Sequence, residues 1–290
     1  MDPTTERRPV SSTSRIVVGI LSCQKNVDRK RAVEDTWLRD LPKEHGTPYF
    51  LVGRPGRPAE IIGDTLYLDC ADTYLALPAK VVAFLEYAHA HLAYDVIFKC
   101  DDDTYVDVVK WLAVPYTDGD YTVGHLMKYD GGYQRWMRQK GLEWKPFYDD
   151  FLRMTGRFPC GGEGYFLSRR AVGAVVEWCR SNSIDSCPPS EDILITGILK
   201  ASGIEAQVVP ALAGRRQDAF LPWSVVRNSE FATTHPVTPF RMRAIHWRSL
   251  WWVNFVHVPM QMASLANRTL KAWRQRLRPS VPIPTSSHER

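Results

Sequence analysis

The sequence has no stretch from which a membrane span could be built: no window approaches 18 uncharged apolar residues, and the N-terminal MDPTTERRPVSSTSR carries no apolar core of the kind a signal peptide needs. The expectation is a soluble chain with a disordered arm at residues 1–14. Metal-type cysteine spacing is also missing. None of the six cysteines (Cys23, Cys70, Cys100, Cys160, Cys179, Cys187) stands in a CxxC, and three fall inside or at the end of predicted strands. Buried free thiols are therefore expected rather than a zinc site or a disulfide framework. Nothing repeats at a fixed period, and low-complexity sequence is confined to the termini, where residues 279–290 are expected to be disordered.

Net positive charge is lacking until the end of the chain. The net charge is +5, but residues 241–290 hold nine Lys or Arg against one Glu, so the remainder is at −3. That tail interleaves its cations with Trp247, Trp251, Trp252 and Trp273. Two readings stand: a helical segment over 247–278 resting on an anionic membrane surface, or a helix packed by its tryptophans with a solvated basic face. No recognisable nucleic-acid module accompanies the basic residues, so a nucleic-acid partner is not expected.

With 290 residues, 44% hydrophobic and 24% charged, the chain can bury a substantial core. Short apolar, β-branched runs at Ile16–Leu21, Tyr49–Val52, Leu66–Leu68 and Val96–Phe98 alternate with loops and helical patterns. Helices are expected at Arg29–Leu38, Pro78–Leu92, Val106–Leu112, Arg169–Ser181 and Ser190–Ala201. This alternation predicts an α/β fold with a mostly parallel sheet flanked by helices. Tyr129–Arg157, rich in Gly, Trp, Tyr, Arg and Lys without clean periodicity, reads as a long functional loop or lid.

Ligands of open α/β sheets gather at the carboxyl ends of the strands, and DVIFKCDDDTYV puts Asp101, Asp102 and Asp103 where an apolar strand stops. Three adjacent carboxylates repel one another, and a hard divalent cation such as Mn²⁺ or Mg²⁺ relieves that repulsion. A solvated turn with an Asp helix cap explains the same residues, and the triplet alone does not choose between them.

Several further segments occur in order: RKRAVEDTW (Arg29 to Trp37), YFLVG (Tyr49 to Gly53), DTYLALPAK (Asp72 to Lys80), KCDDDTYV (Lys99 to Val106), FPCGGEGYFLS (Phe158 to Ser168), PPSEDILITG (Pro188 to Gly197) and TTHPVTPFRM (Thr233 to Met242). As an ordered set they resemble the β-1,3-glycosyltransferases, the family that includes β-1,3-galactosyltransferases, β-1,3-N-acetylglucosaminyltransferases and fringe. Glu34 stands where galactosyltransferase-like members carry a second Arg, and Pro78 is unusual in its segment. The family's N-terminal membrane anchor and stem are missing, which suggests a bacterial, viral or trimmed form, cytoplasmic in the first two cases and Golgi-luminal in the last.

The resemblance implies a GT-A type domain over residues 15–246 that moves a hexose, galactose or N-acetylglucosamine, from a UDP-sugar to a glycan hydroxyl, with inversion and a β-1,3-type linkage. It implies Asp103 as the metal ligand, Asp101 and Asp102 on ribose, phosphate or metal-bound water, and His235 completing the metal site, with His246 as its competitor. Asp192 is implied as the base, with Glu191 beside it, although Ser190-Glu191-Asp192 also reads as a helix cap. Arg31 and Lys80 are candidate donor contacts or solvated surface cations, Glu163 among Gly161, Gly162 and Gly164 is a candidate contact to sugar or acceptor in what also reads as a simple turn, and Trp136 and Trp144 read as sugar-stacking or merely packing residues. The competing functions are a catalytically weak nucleotide-sugar or carbohydrate-binding protein with the same fold and a metal-dependent phosphoesterase or nucleotidyltransferase.

Overall fold

The computed structural model describes residues 15–128, 132–139, 145, 147–213 and 231–246. The tail from 247 onward, with the tryptophans weighed as a membrane contact, and Trp144 lie outside the described residues, as do 1–14.

In chain order the elements are β1 (Ile16–Leu21), α1 (Val27–Asp35), α2 (Trp37–Asp40), β2 (Gly46–Gly53), β3 (Glu60–Ile62), β4 (Thr65–Leu68), α3 (Leu77–His91), β5 (Val96–Asp101), β6 (Tyr105–Val106) and α4 (Val108–Leu112). There follow β7 (Tyr121–Val123), β8 (Met127–Lys128), α5 (Gly132–Gln139), α6 (Phe147–Thr155), β9 (Arg157–Phe158), β10 (Tyr165–Ser168), α7 (Arg169–Ser181), α8 (Glu191–Ala201), β11 (Gln207–Val208), β12 (Thr233–Thr234) and α9 (Pro239–His246).

Eight strands form one sheet in the order β11-β7-β10-β5-β1-β2-β4-β3. The β5-β1-β2-β4 centre is parallel, whereas β10 runs antiparallel to both β5 and β7. All six residues of β1 are buried because both faces of the sheet are covered there, and period-two alternation divides them between two cores. Val17 and Leu21 join the core formed with α3, α7 and α8, while Ile16, Val18 and Ile20 join Ala32, Val33, Trp37, Trp111 and Met242 on the other face. Gly19 also lies under α3, since a Cβ there would come 2.5 Å from the Phe84 ring.

The segment 129–157 is not an irregular lid throughout: it contains α5 and α6. Tyr148, Phe151, Leu152 and Thr155 have the helical i, i+3, i+4, i+7 spacing, and Leu152 packs with Ile193 and Phe158. Gly197 of α8 leaves room for the Phe151 ring, which a Cβ would meet at 2.5 Å. The helices escape a reading by composition because their Gly, Trp and Tyr content masks a short apolar stripe. No disulfide joins the six cysteines; Cys100 and Cys187 are buried and the other four half-buried. Among the described residues no helix is long and apolar enough to cross a membrane.

Candidate functional site

Parallel register sets β1 and β5 side by side, Leu21 opposite Asp101, so both strands end at the same edge of the sheet. The chain leaves β5 through the acidic triplet and re-enters a small ladder, in which β6 pairs antiparallel with β12, Tyr105 opposite Thr234. That ladder returns His235 to the triplet: Val237 N donates to Asp103 O at 2.8 Å, and His235 Nδ1 lies 3.1 Å from Asp103 Oδ1 and 3.2 Å from Thr104 Oγ1. The triplet loop is fastened from below by Trp37, whose indole N–H donates to Thr104 O at 3.0 Å.

Asp101, Asp103 and His235 place one ligand atom each within 4.8 Å of one another. Asp103 Oδ1 is buried and faces only the His235 imidazole among the described residues, 3.1 Å away and without full hydrogen-bond alignment, so it keeps capacity that a cation could share. Two carboxylates and an imidazole suit a divalent cation with oxygen preference, so these residues fit one. Burial raises the Asp103 pKa, but contact with His235 and the charge of Arg29 outweigh it and hold the group below the ordinary carboxylate value. The His235 pKa is lowered by burial and raised by Asp103 and Asp101, with a net rise.

The glycine turn Gly161–Glu163 is wedged against this cluster. A Cβ on Gly162 would overlap the His235 ring and lie 3.0 Å from Asp101 Oδ2. Gly164, which ends the turn, has φ +97°, a conformation that favours glycine. From the other side the first turn of α8 presents its acids. Asp192 accepts from Ile193 N at 2.9 Å, from Gly161 N at 3.3 Å and from the Ser190 hydroxyl. Ser190 thus serves the acid rather than capping the helix backbone with its own side chain.

A buried lysine ties the parts together. Lys99 of β5 donates to Asp101 at 3.0 Å, to Gly161 O at 3.1 Å and to Glu191, whose other oxygen accepts from Tyr165 at 2.9 Å. Burial pushes Glu191 up to about 7 against the pull of Lys99, with the Asp192 and Asp101 charges adding to the rise. The Asp192 pKa is likewise raised, by burial against its three hydrogen bonds.

Asp101, Asp103, His235, Glu191 and Asp192 therefore meet as their sequence pattern suggests. Others do not. Asp102 turns toward α1, where Ser22 donates at 2.7 Å, Asn26 at 2.8 Å and Arg29 at 3.1 Å, so its oxygens are already engaged within the protein. Arg31 is exposed, while Arg29 is the residue of that helix that reaches the triplet, 3.0 Å from Asp103. A displacement of two residues is about 200° round a helix, which separates the two side chains. Lys80 is buried and donates to Ser22 O and to Asp72 at 2.7 Å each, rather than facing a free phosphate position. Asp72 also accepts from Gln24 N and Gly53 N, so this pair clamps the loops after β1 and β2. His246 sits apart, 3.7 Å from Asp40 and against the Tyr105 ring. Trp136 belongs to α5.

Arg29, Lys99 and Thr104 also touch the cluster, at Asp103, Asp101 and His235, and none of them is marked out by the sequence pattern as a site residue. Lys99 alone left a trace, a charge in an otherwise apolar strand run.

A family model described as galactosyltransferase matches residues 28–209. Among curated proteins, a β-1,3-galactosyltransferase, bre-2, of Caenorhabditis elegans is 25% identical over 217 residues, 68% of this chain and 60% of that protein. Hydroxyproline O-galactosyltransferase GALT6 of Arabidopsis thaliana is 28% identical over 165 residues, 52% of this chain and 23% of that protein. The chain thus spans less than two thirds of either relative. Among solved structures, the galactosyltransferase LgtC with donor and acceptor sugar analogues covers 81% of this chain and 95% of its own at 12% identity and a TM-score of 0.44, too loose a superposition to bear on function.

Proposed function

We infer the function from a premise the matches supply, that the chain belongs to the galactosyltransferase family: it transfers a hexose, galactose or N-acetylglucosamine, from a UDP-sugar to a glycan hydroxyl, with inversion and a β-1,3-type linkage. The observation that carries this reading is the meeting of Asp101, Asp103 and His235 with Asp192 across one glycine turn.

Asp101, Asp103 and His235 would hold a divalent cation, Mn²⁺ or Mg²⁺, which supplies charge neutralisation for a departing diphosphate. Arg29, 3.0 Å from Asp103, adds a fixed positive charge on the same side. Asp192 is the base. Its oxygens sit at a helix N-terminus on the far side of the turn from His235, placed to take the proton of an acceptor hydroxyl as that oxygen attacks the anomeric carbon. A single displacement opposite the leaving group inverts the anomeric centre. Glu191, locked by Lys99 and Tyr165, positions Asp192 and does not itself face the acceptor.

The test is release of UDP from a panel of UDP-sugars, with and without Mn²⁺, across glycan acceptors. Metal-dependent release with sugar found on the acceptor supports the reading. Sugar-nucleotide binding without release with any acceptor replaces it by a binding protein of the same fold, and cleavage at phosphorus by a phosphoesterase.

A further inference from the structure

We propose that Glu163 takes a hydroxyl of the donor hexose on its buried carboxylate oxygen Oε1 and so helps to decide which sugar is transferred. The proposal rests on the transferase reading and names a substrate contact within it.

Glu163 is the last residue of the glycine turn, 2% exposed, with its N–H donated to Cys160 O at 3.1 Å. One carboxylate oxygen, Oε2, lies 3.1 Å from His125 Nδ1. The other, Oε1, is buried and receives no hydrogen bond among the described residues. An unsatisfied buried carboxylate oxygen is expensive, and its retention calls for a donor that arrives with a ligand. The turn fixes where that ligand lies. Gly161 N is bonded to Asp192, the proposed base, and a Cβ on Gly162 would run into His235 and Asp101, two of the residues that would hold the diphosphate's cation. The residue that follows them borders the space between leaving group and base, and in a direct displacement that space holds the transferred sugar.

The chemistry at Oε1 favours a neutral donor over a second cation. Glu163 is not among the three residues whose ligand atoms cluster within 4.8 Å, so the metal is served without it. The hydroxyls of a hexose are hydrogen-bond donors, and a site built to bond a hydroxyl discriminates strongly against an analogue that lacks it.

The experiment measures Kd and kcat/KM for UDP-hexose and for its monodeoxy and deoxyfluoro analogues, with UDP as the sugar-free reference, in the wild type, Glu163→Ala and Glu163→Gln. In the wild type, deletion at one sugar position is expected to cost roughly 10- to 100-fold, the range of a hydrogen bond to a charged group. In Glu163→Ala that penalty should shrink below about threefold while affinity for UDP stays unchanged, a coupling that general misfolding would not produce. Glu163→Gln keeps the shape, guards against a folding failure, and should show an intermediate penalty. Equal penalties in all three proteins overturn the proposal, and so does a coupling that follows deoxygenated acceptors instead. If the wild type transfers no sugar at all, the transferase reading itself fails, which the UDP-release panel reports separately.

Discussion

Lys99 reaches from the centre of the sheet to Glu191 on α8, holding the helix that carries Asp192 against the strand that carries Asp101. Both sides of the proposed reaction centre thus hang on one buried ammonium. Its own pKa is lowered by burial but raised more by Asp101 and Glu191, so it stays charged.

Lys99→Met should therefore destabilise the protein by about 3 kcal/mol, the low end for breaking a buried ion pair. Glu191 can take up a proton and Asp101 is partly solvated, which limits the loss. Urea unfolding measures it, and a loss under about 0.5 kcal/mol would show that the lysine holds nothing in place.

Stability should fall as pH rises from about 4.5 to about 7. The Glu191 pKa is raised from 4.5 to about 7 on folding, so across that window the native state binds a proton that the unfolded state has lost. The raised pKa values of Asp192 and His235 act in the same sense. Glu191→Gln removes its share, and thermal melts across this range should show a flatter decline in the variant.

Asp103→Ala and His235→Ala should each reduce metal-stimulated UDP release by roughly 100-fold or more, since several kcal/mol of charge stabilisation depends on the cation. The midpoint for Mn²⁺ should move to higher concentration in both. An unchanged metal titration in Asp103→Ala would remove this residue from the site.

Asp192→Asn should keep UDP-sugar affinity within a few-fold and lose roughly 10²- to 10⁴-fold in transfer, the usual contribution of a positioned base. Calorimetric binding beside product analysis separates the two effects. Equal losses in binding and transfer would mean that Asp192 holds the donor.

Gly162→Ala should cost about 1–3 kcal/mol of stability or force His235 aside, because the added methyl overlaps the imidazole. A variant with wild-type stability and metal response would mean the turn yields without effect.

Elements with a strong apolar period were legible in the chain. Ile16–Leu21 and Arg169–Ser181 are found with their expected bounds, and the fold class follows from their alternation. The helices α5 and α6 were missed because their stripe is short and surrounded by glycine and aromatics. In the site, the acids and His235 were legible as residue types at the ends of elements, which is a local property. Which arginine of α1 reaches Asp103 was not.

The sequence by itself determined that an acidic triplet follows a buried strand, that two acids open a helix and that a histidine comes late. Tertiary structure alone decided how these meet. Asp102 is spent on Ser22, Asn26 and Arg29, Lys80 on Asp72, and Lys99, which also holds Asp101, reaches Glu191 across 92 residues. The reason is geometric: side-chain direction along a strand or helix is fixed by local periodicity, but the partner it finds depends on register and helix packing between distant segments.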